Sequence, residues 1–274
     1  MRCLVFSDVV DSTLFVQRVG DAEAARVWAE HDRRARLLCR SRGGREIDRA
    51  DGFFLLFDVV ADAARYAIDY HALLAELGLT ARIGVHVGEV TLREAAPADV
   101  AEGAKPIEVE GLAKPFAARL MSLARPGQTL LSDAARRALG EPTAQDLWIE
   151  ACGSYRLKGI DDPIAVFALG QRESGVFAPP ADTEKVYRVV RIDETWRPLH
   201  EVRHNLPPER DAFVGRGAEL QELARRLRDS PLVSVVGAAG SGKTRLVRRF
   251  AATWRGDWAG GVYFCDLASV RSQK

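Results

Sequence analysis

The stretch Leu4-Val5-Phe6-Ser7-Asp8-Val9-Val10-Asp11-Ser12-Thr13 restricts this chain more than any other. Leu4, Val5 and Phe6 read as a buried strand, and an acidic side chain stands where that strand stops. A second carboxylate and two hydroxyls follow before a helical pattern begins. A hard cation beside a polyphosphate needs this chemistry: carboxylate oxygens for the metal, free backbone N–H groups at a helix start for the phosphate. Asp11, Ser12 and Thr13 are equally the residue types that cap a helix. The segment Asp48-Arg49-Ala50-Asp51-Gly52-Phe53-Phe54 favours the first use. Strands predicted around Arg45–Asp48 and Phe53–Phe57 flank Ala50-Asp51-Gly52 as a tight turn, which sets a second carboxylate beside Asp8. Two converging carboxylates can bind two Mg²⁺ ions, one activating a nucleophile and one neutralising a triphosphate.

The pattern around these segments alternates between helix and strand. A helix is predicted from Asp21, as its N-cap, to about Arg42. Its apolar stripe is Trp28, His31, Ala35, Leu38 and Cys39, and Gly43-Gly44 ends it. His31 on that stripe reads as a core-edge histidine rather than a ligand. A second helix carries Val60, Ala63, Ala64, Ala67, Tyr70, His71, Leu74 and Leu77, closed by Gly78. Ala81, Ile83, Val85 and Val87 then alternate with Arg82, Gly84, His86 and Gly88, a period-two strand. Residues from about 89 to 106 read as an irregular arm rich in Ala, Pro and Glu. A third helix is predicted from Pro115, at its first position, to about Ala124. Short strands near Gln128–Leu131, Ser154–Leu157 and Ile164–Leu169 complete the unit. The order strand, helix, hairpin, helix, strand is the split βαβ, ferredoxin-like arrangement of an α+β domain.

Residues 1–169 resemble the class III nucleotide cyclases, on several motifs in order: Phe6-Ser7-Asp8-Val9…Ser12-Thr13, Asp51-Gly52-Phe53, Arg82-Ile83-Gly84-Val85-His86-Val87-Gly88, Gly111…Ala117-Ala118-Arg119-Leu120, and Leu157-Lys158-Gly159. The resemblance implies a domain in which Asp8, Asp51 and Val9 form the metal site for two Mg²⁺ or Mn²⁺ ions. Ser12 and Thr13 would serve the substrate, ATP. Its 3′-hydroxyl would attack its own α-phosphate, giving 3′,5′-cyclic AMP and pyrophosphate. Arg119 matches the arginine that stabilises the transition state, and Lys158 the lysine that holds the triphosphate. Such domains form head-to-tail homodimers with shared sites, so Arg119 would act on the partner subunit's nucleotide.

The sequence departs from that pattern in two places. The family carries an asparagine one helical turn before the arginine, where this chain has Pro115, which has no side-chain donor. Losing one such donor costs about 2.7–4 kcal/mol of transition-state stabilisation, a slowing of about a hundred- to a thousandfold. Lys114 or Lys105 could supply a charge in its stead. The adenine-reading lysine falls near Ile47-Asp48-Arg49, where Arg49 could take its part, and the accompanying aspartate falls at Glu108, which keeps an acceptor. Adenine is preferred to guanine on that basis.

Residues 170–210 contain Pro179-Pro180, Pro198 and Pro207-Pro208 with few apolar repeats, and read as a linker. From 211 to 274 a second nucleotide signature appears. Gly237-Ala238-Ala239-Gly240-Ser241-Gly242-Lys243-Thr244 fits GxxxxGK[ST], after the apolar run Leu232–Val236, expected as a strand, and before a helical pattern through Leu246, Val247 and Phe250. In such a loop the amides around Gly237, Gly240 and Gly242 wrap phosphate, Lys243 reaches its outer oxygens and Thr244 ligates Mg²⁺. With Phe213-Val214-Gly215-Arg216 and Glu219, the segment resembles the start of STAND/AAA-like signalling ATPases. Val262–Asp266 is expected as the next sheet strand. The segment reads as the amino-terminal piece of an α/β P-loop domain, truncated before its sheet closes.

A net charge of +1 provides no global field to recruit nucleic acid or an anionic membrane, so neither is an expected partner. Cys3, Cys39, Cys152 and Cys265 show no CxxC spacing, and no apolar run reaches membrane-spanning length. Together with the absence of a signal peptide, this predicts a reducing, cytoplasmic setting.

Overall fold

The structure is a computed structural model. It describes all residues except 51, 141–146, 161, 184–185, 193–194, 200–201, 210–212, 255–257, 259 and 268–274. The chain divides into two compact units, one of Met1–Cys152 with Ile164–Val186, the other of Gly153–Pro163 with Tyr187–Lys274.

In the first unit the expected order appears as β1 (Arg2–Val9), α1 (Ser12–Val19), α2 (Asp21–Ser41), β2 (Arg45–Arg49), β3 (Phe53–Phe57), α3 (Val60–Glu76) and β4 (Ala81–Gly88). These strands lie in the order β4-β1-β3-β2, with β1 antiparallel to both neighbours. That is the ferredoxin-like arrangement. The sheet continues through β7 (Thr129–Ser132), parallel to β4, and β9 (Ile164–Gln171), antiparallel to β7, to β8 (Leu147–Leu157).

Alternation along β1 decides what each face holds. Cys3, Val5 and Val9 pack with Phe53, Leu55, Phe57 and the buried stripes of α2 and α3. Leu4 points the other way, with Phe54, Leu56, Val109, Ala113 and Ala117. The second face is covered by α5 (Ala113–Leu123), whose buried Ala113, Ala117 and Leu120 recur at helical spacing. Gly84 lets this helix approach β4 closely, because a Cβ there would lie 2.4 Å from the Met121 amide nitrogen.

Several expectations need correction. α2 begins after a Gly20 N-cap, so Asp21 lies inside it, and a separate helix, α1, precedes it. The arm at 89–106 is ordered: β5 (Thr91–Glu94) and β6 (Ile107–Glu110) form a two-stranded antiparallel sheet with α4 (Pro97–Ala101) between them. α5 starts two residues before Pro115, which therefore occupies the third helical position, where a missing N–H still costs no helical bond. α6 (Asp133–Leu139) follows β7, N-capped by the Ser132 hydroxyl.

In the second unit, the stretch read as a linker carries a hairpin, β10 (Val186–Ile192) with β11 (Thr195–Pro198). Helix α7 (Gly217–Asp229) buries Leu220, Leu223 and Ala224, and α8 (Lys243–Trp254) buries Leu246, Phe250 and Trp254. Residues 232–236 form no ladder, with Leu232 and Val236 exposed, and Val262 makes one isolated bridge to His204. A parallel strand needs flanking strands for its hydrogen bonds; among the described residues the run 232–236 has none, and the run from Val262 has only the segment 203–205 beside it.

His71, on α3, pairs through Nε2 with the Thr129 hydroxyl at 2.9 Å, and burial pushes its pKa down to about 4. An unfolded histidine titrates near 6.5, so the unfolded chain binds the proton first as pH falls. Stability from this residue should be complete above about pH 6.5 and decline toward about pH 4, by up to about 1.4 kcal/mol per pH unit. Denaturant unfolding across that range should show the slope, and His71→Gln should reduce it but not abolish it, because burial also pushes His86 down to about 4.

Candidate active site at the end of the first strand

Asp8 is the penultimate residue of β1, with its side chain 27% exposed. It stands opposite Arg82 of β4 in the strand register, and the Arg82 guanidinium is ion-paired to its Oδ2. Val9 is buried, and the Val10 amide donates to the Thr80 carbonyl at 2.8 Å. Asp11 then adopts the left-handed conformation (φ 56°), which aspartate tolerates, and its side chain makes no cap bond. Ser12, half-buried, and exposed Thr13 open α1, so the first-turn amides of that helix carry the partial positive charge expected of a helix start.

Asp51 lies outside the described residues, but its neighbours define where the turn packs. The Ala50 amide donates to the Gly52 carbonyl at 3.0 Å. Gly52 lies directly on the β1 backbone: a Cβ there would sit 1.8 Å from the Ser7 carbonyl oxygen and 2.8 Å from Asp8 Cα. Only glycine fits. The Phe53 amide donates to the Ser7 hydroxyl at 3.0 Å.

Beneath this junction lies a buried polar chain that sequence reading missed. Tyr70, fully buried, is hydrogen-bonded to Ser7 and lies 2.7 Å from His31 Nε2. His31 Nδ1 lies 3.1 Å from Asp32 Oδ1, to which Arg49 donates at 2.6 Å. Burial lowers the His31 pKa and raises that of Tyr70, keeping both neutral. The clue in the sequence was a histidine on an otherwise apolar helical stripe, with a tyrosine on the stripe of the next helix.

The other expected site residues lie apart from one another. Arg119 is half-buried on α5, four residues after exposed Pro115 and away from the Ala117–Leu120 stripe, so the two share a helix face. Lys114 lies over the Phe54 ring at 5.5 Å, and Lys105 pairs with Asp48 at 2.5 Å. Arg49 is held by Asp32, and Glu108 of β6 is ion-paired to Arg93 across the small sheet. Both base-reading candidates are therefore engaged within the chain. Lys158 belongs to the second unit, exposed just past β8 in a turn closed by the Ile160 amide on the Leu157 carbonyl at 3.0 Å.

In the second unit, Gly240 and Gly242 take positive φ values (74° and 80°), and Lys243 donates to the Gly237 and Ala238 carbonyls at 2.9 and 2.8 Å. Gly240, Gly242 and Lys243, with Thr244, Arg245 and Arg248, line a cleft of about 670 Å³. The lysine thus folds back onto its own loop.

The first unit has the fold of the class III adenylate and guanylate cyclase domains. Adenylate cyclases from Trypanosoma brucei, solved in their monomeric state, align with 65% of this chain and 92% of theirs at 22% identity, TM-score 0.57. The adenylyl cyclase CyaB from P. aeruginosa aligns with 63% of this chain and 95% of its own at 16% identity, TM-score 0.55. For the guanylyl cyclase Cya2 the shares are 65% and 96%, at 19% identity and TM-score 0.52. Residues 212–272 match the family model of the AAA ATPase domain. An uncharacterized protein of Mycobacterium tuberculosis is 39% identical over 69 residues, 25% of this chain and 18% of its own length. The chain thus spans less than a fifth of that relative. A second uncharacterized protein of the same organism is 28% identical over 221 residues, 79% of this chain and 67% of that protein. No helix among the described residues is long and apolar enough to cross a membrane.

The contact at Gly52 gives a direct test. Gly52→Ala forces a methyl group into the Ser7 carbonyl. It should cost about 1–3 kcal/mol, measured as a lower denaturation midpoint with the m-value unchanged.

Proposed function

We propose that the first unit is a purine nucleotide cyclase that converts ATP to 3′,5′-cyclic AMP and pyrophosphate as a homodimer with shared sites. The observation that carries this reading is the packing of the Asp51-bearing turn, through Gly52, onto the backbone of Ser7 and Asp8. The donors suit Mg²⁺ or Mn²⁺: hard carboxylate oxygen at a partly exposed strand end, with Asp8 Oδ1 outside the Arg82 pair. Asp8 and Asp51, with Val9, would hold two such ions, which when bound supply charge neutralisation of the triphosphate and activation of the 3′-hydroxyl.

The chain's own groups do the rest. The first-turn amides of α1, with Ser12 and Thr13, meet phosphate oxygens. Arg119, on the helix face it shares with Pro115, offers its guanidinium to the charge that grows at the reacting phosphate of the partner's nucleotide. Lys158 neutralises triphosphate charge. Glu108 would reach the purine only by leaving Arg93, whereas Arg49 stays with Asp32 at the edge of the site. In the second unit, Gly237, Gly240, Gly242, Lys243 and Thr244 bind a nucleotide phosphate chain with Mg²⁺ once Lys243 exchanges its loop carbonyls for phosphate oxygens. The boundaries we propose remain 1–169 for the cyclase domain, 170–210 for the connection and 211–274 for the ATPase segment.

A second reading is favoured by Pro115, which removes a donor from the reacting face of α5, and by the Arg82–Asp8 pair. In that reading the domain binds nucleotide, turns it over weakly or not at all, and regulates the attached ATPase segment. Incubating the protein with Mn²⁺ and ATP and assaying cyclic AMP separates the two. A product signal abolished by Asp8→Ala supports the cyclase, and tight ATP binding without product that survives Lys243→Ala supports the alternative. For a slow enzyme, Pro115→Asn should raise turnover by about a hundredfold.

A further inference from the structure

The buried polar chain under the junction runs in one direction and holds the Asp51-bearing turn from both sides. Asp32 is a carboxylate and can only accept, so His31 carries its proton on Nδ1 and leaves Nε2 as an acceptor for the Tyr70 hydroxyl. Tyr70 then accepts from Ser7, and the Ser7 oxygen accepts the Phe53 amide. Every donor meets an acceptor. At one end the chain grips the backbone just after the turn, at Phe53. At the other it grips the residue just before it, because Arg49 donates to Asp32 and lies over the Phe53 ring at 5.8 Å. Ser7, its link to β1, immediately precedes Asp8. The exposures of Ser7, His31 and Tyr70 are 5%, 1% and 0%, so no water competes for these bonds.

We propose that His31 and Tyr70 are positioning residues for the cyclase site: through Ser7 at one end and Asp32–Arg49 at the other, they fix Arg49 and Phe53, the residues flanking the Ala50–Gly52 segment, against the Asp8 end of β1. The proposal rests on the metal-binding reading of those two residues. It assigns a role to a histidine that touches neither metal nor nucleotide. Alternation makes this possible, because Ser7 points to the α2–α3 face while Asp8 points to the α5 face of the same strand.

The test uses the whole chain carrying Lys243→Ala, which disables the nucleotide loop of the second unit, titrated with Mn²⁺ in the presence of an ATP analogue lacking the 3′-hydroxyl, with bound Mn²⁺ read by electron paramagnetic resonance. Tyr70→Phe removes one oxygen and keeps the ring. It should weaken Mn²⁺ binding about tenfold, the scale on which outer-shell partners act. His31→Leu should do the same or more, and His31→Gln, which keeps both a donor and an acceptor, should recover most of the loss. Hydrogen exchange should show the Phe53 amide opening faster in Tyr70→Phe, with the rest of the core protected as before, a pattern that general loss of stability would not give. Wild-type Mn²⁺ affinity in Tyr70→Phe, where Asp8→Ala abolishes binding, would overturn the positioning role and leave the metal reading standing. Binding that Asp8→Ala does not change would overturn the metal reading, and the positioning role with it.

Discussion

The first unit depends on one close approach, the backbone of Gly52 against the carbonyl of Ser7. A side chain at position 52 would overlap that oxygen, so the turn after β2 and the end of β1 meet with nothing between them. Two neighbouring residues of β1 then act on opposite faces of the sheet. Ser7 ties the junction to α2 and α3, and Asp8 faces the side that α5 covers. The buried polar chain and the proposed metal ligand are thus on neighbouring residues but opposite faces of the sheet.

α5 makes the corresponding contribution on the opposite face, where Asp8 lies. Its small buried residues Ala113 and Ala117, and the missing side chain at Gly84, bring its backbone close to β4. Arg119 and Pro115 are carried on the outward side of the same helix. Arg82 pairs with Asp8 from the neighbouring strand and balances its charge. Such a pair is worth little at a partly exposed position, so under the proposed function it would yield to a divalent ion at small cost.

Much of this was legible in the sequence, for physical reasons. β4 shows a period-two alternation, β1 and β3 show short apolar runs because both of their faces are covered, and α2 and α3 show full helical stripes ended by glycine. The turn Ala50-Asp51-Gly52 announced itself through its residue types. The small β5–β6 sheet was not legible. It buries Val109 but little else, so four-residue strands of mixed charge read as an arm. Residues 232–236 show the reverse: an apolar β-branched run reads as a strand, but a ladder also needs neighbours. Side-chain commitments were the least visible. Nothing local in Arg49, Glu108 or Lys105 tells that each has a carboxylate or guanidinium partner 15 or more residues away. His31 was read as a core-edge residue, and only the fold shows Tyr70 on one side of it and Asp32 on the other.

The most direct measurement of the central claim is anomalous diffraction at the manganese edge from crystals of the chain grown with Mn²⁺ and an unreactive ATP analogue. The account predicts metal peaks against the Asp8 carboxylate, with Asp51 on their other side and the Arg82 guanidinium displaced from Asp8. Crystals that hold the nucleotide with no metal at Asp8, and with Arg82 still paired to it, would contradict it.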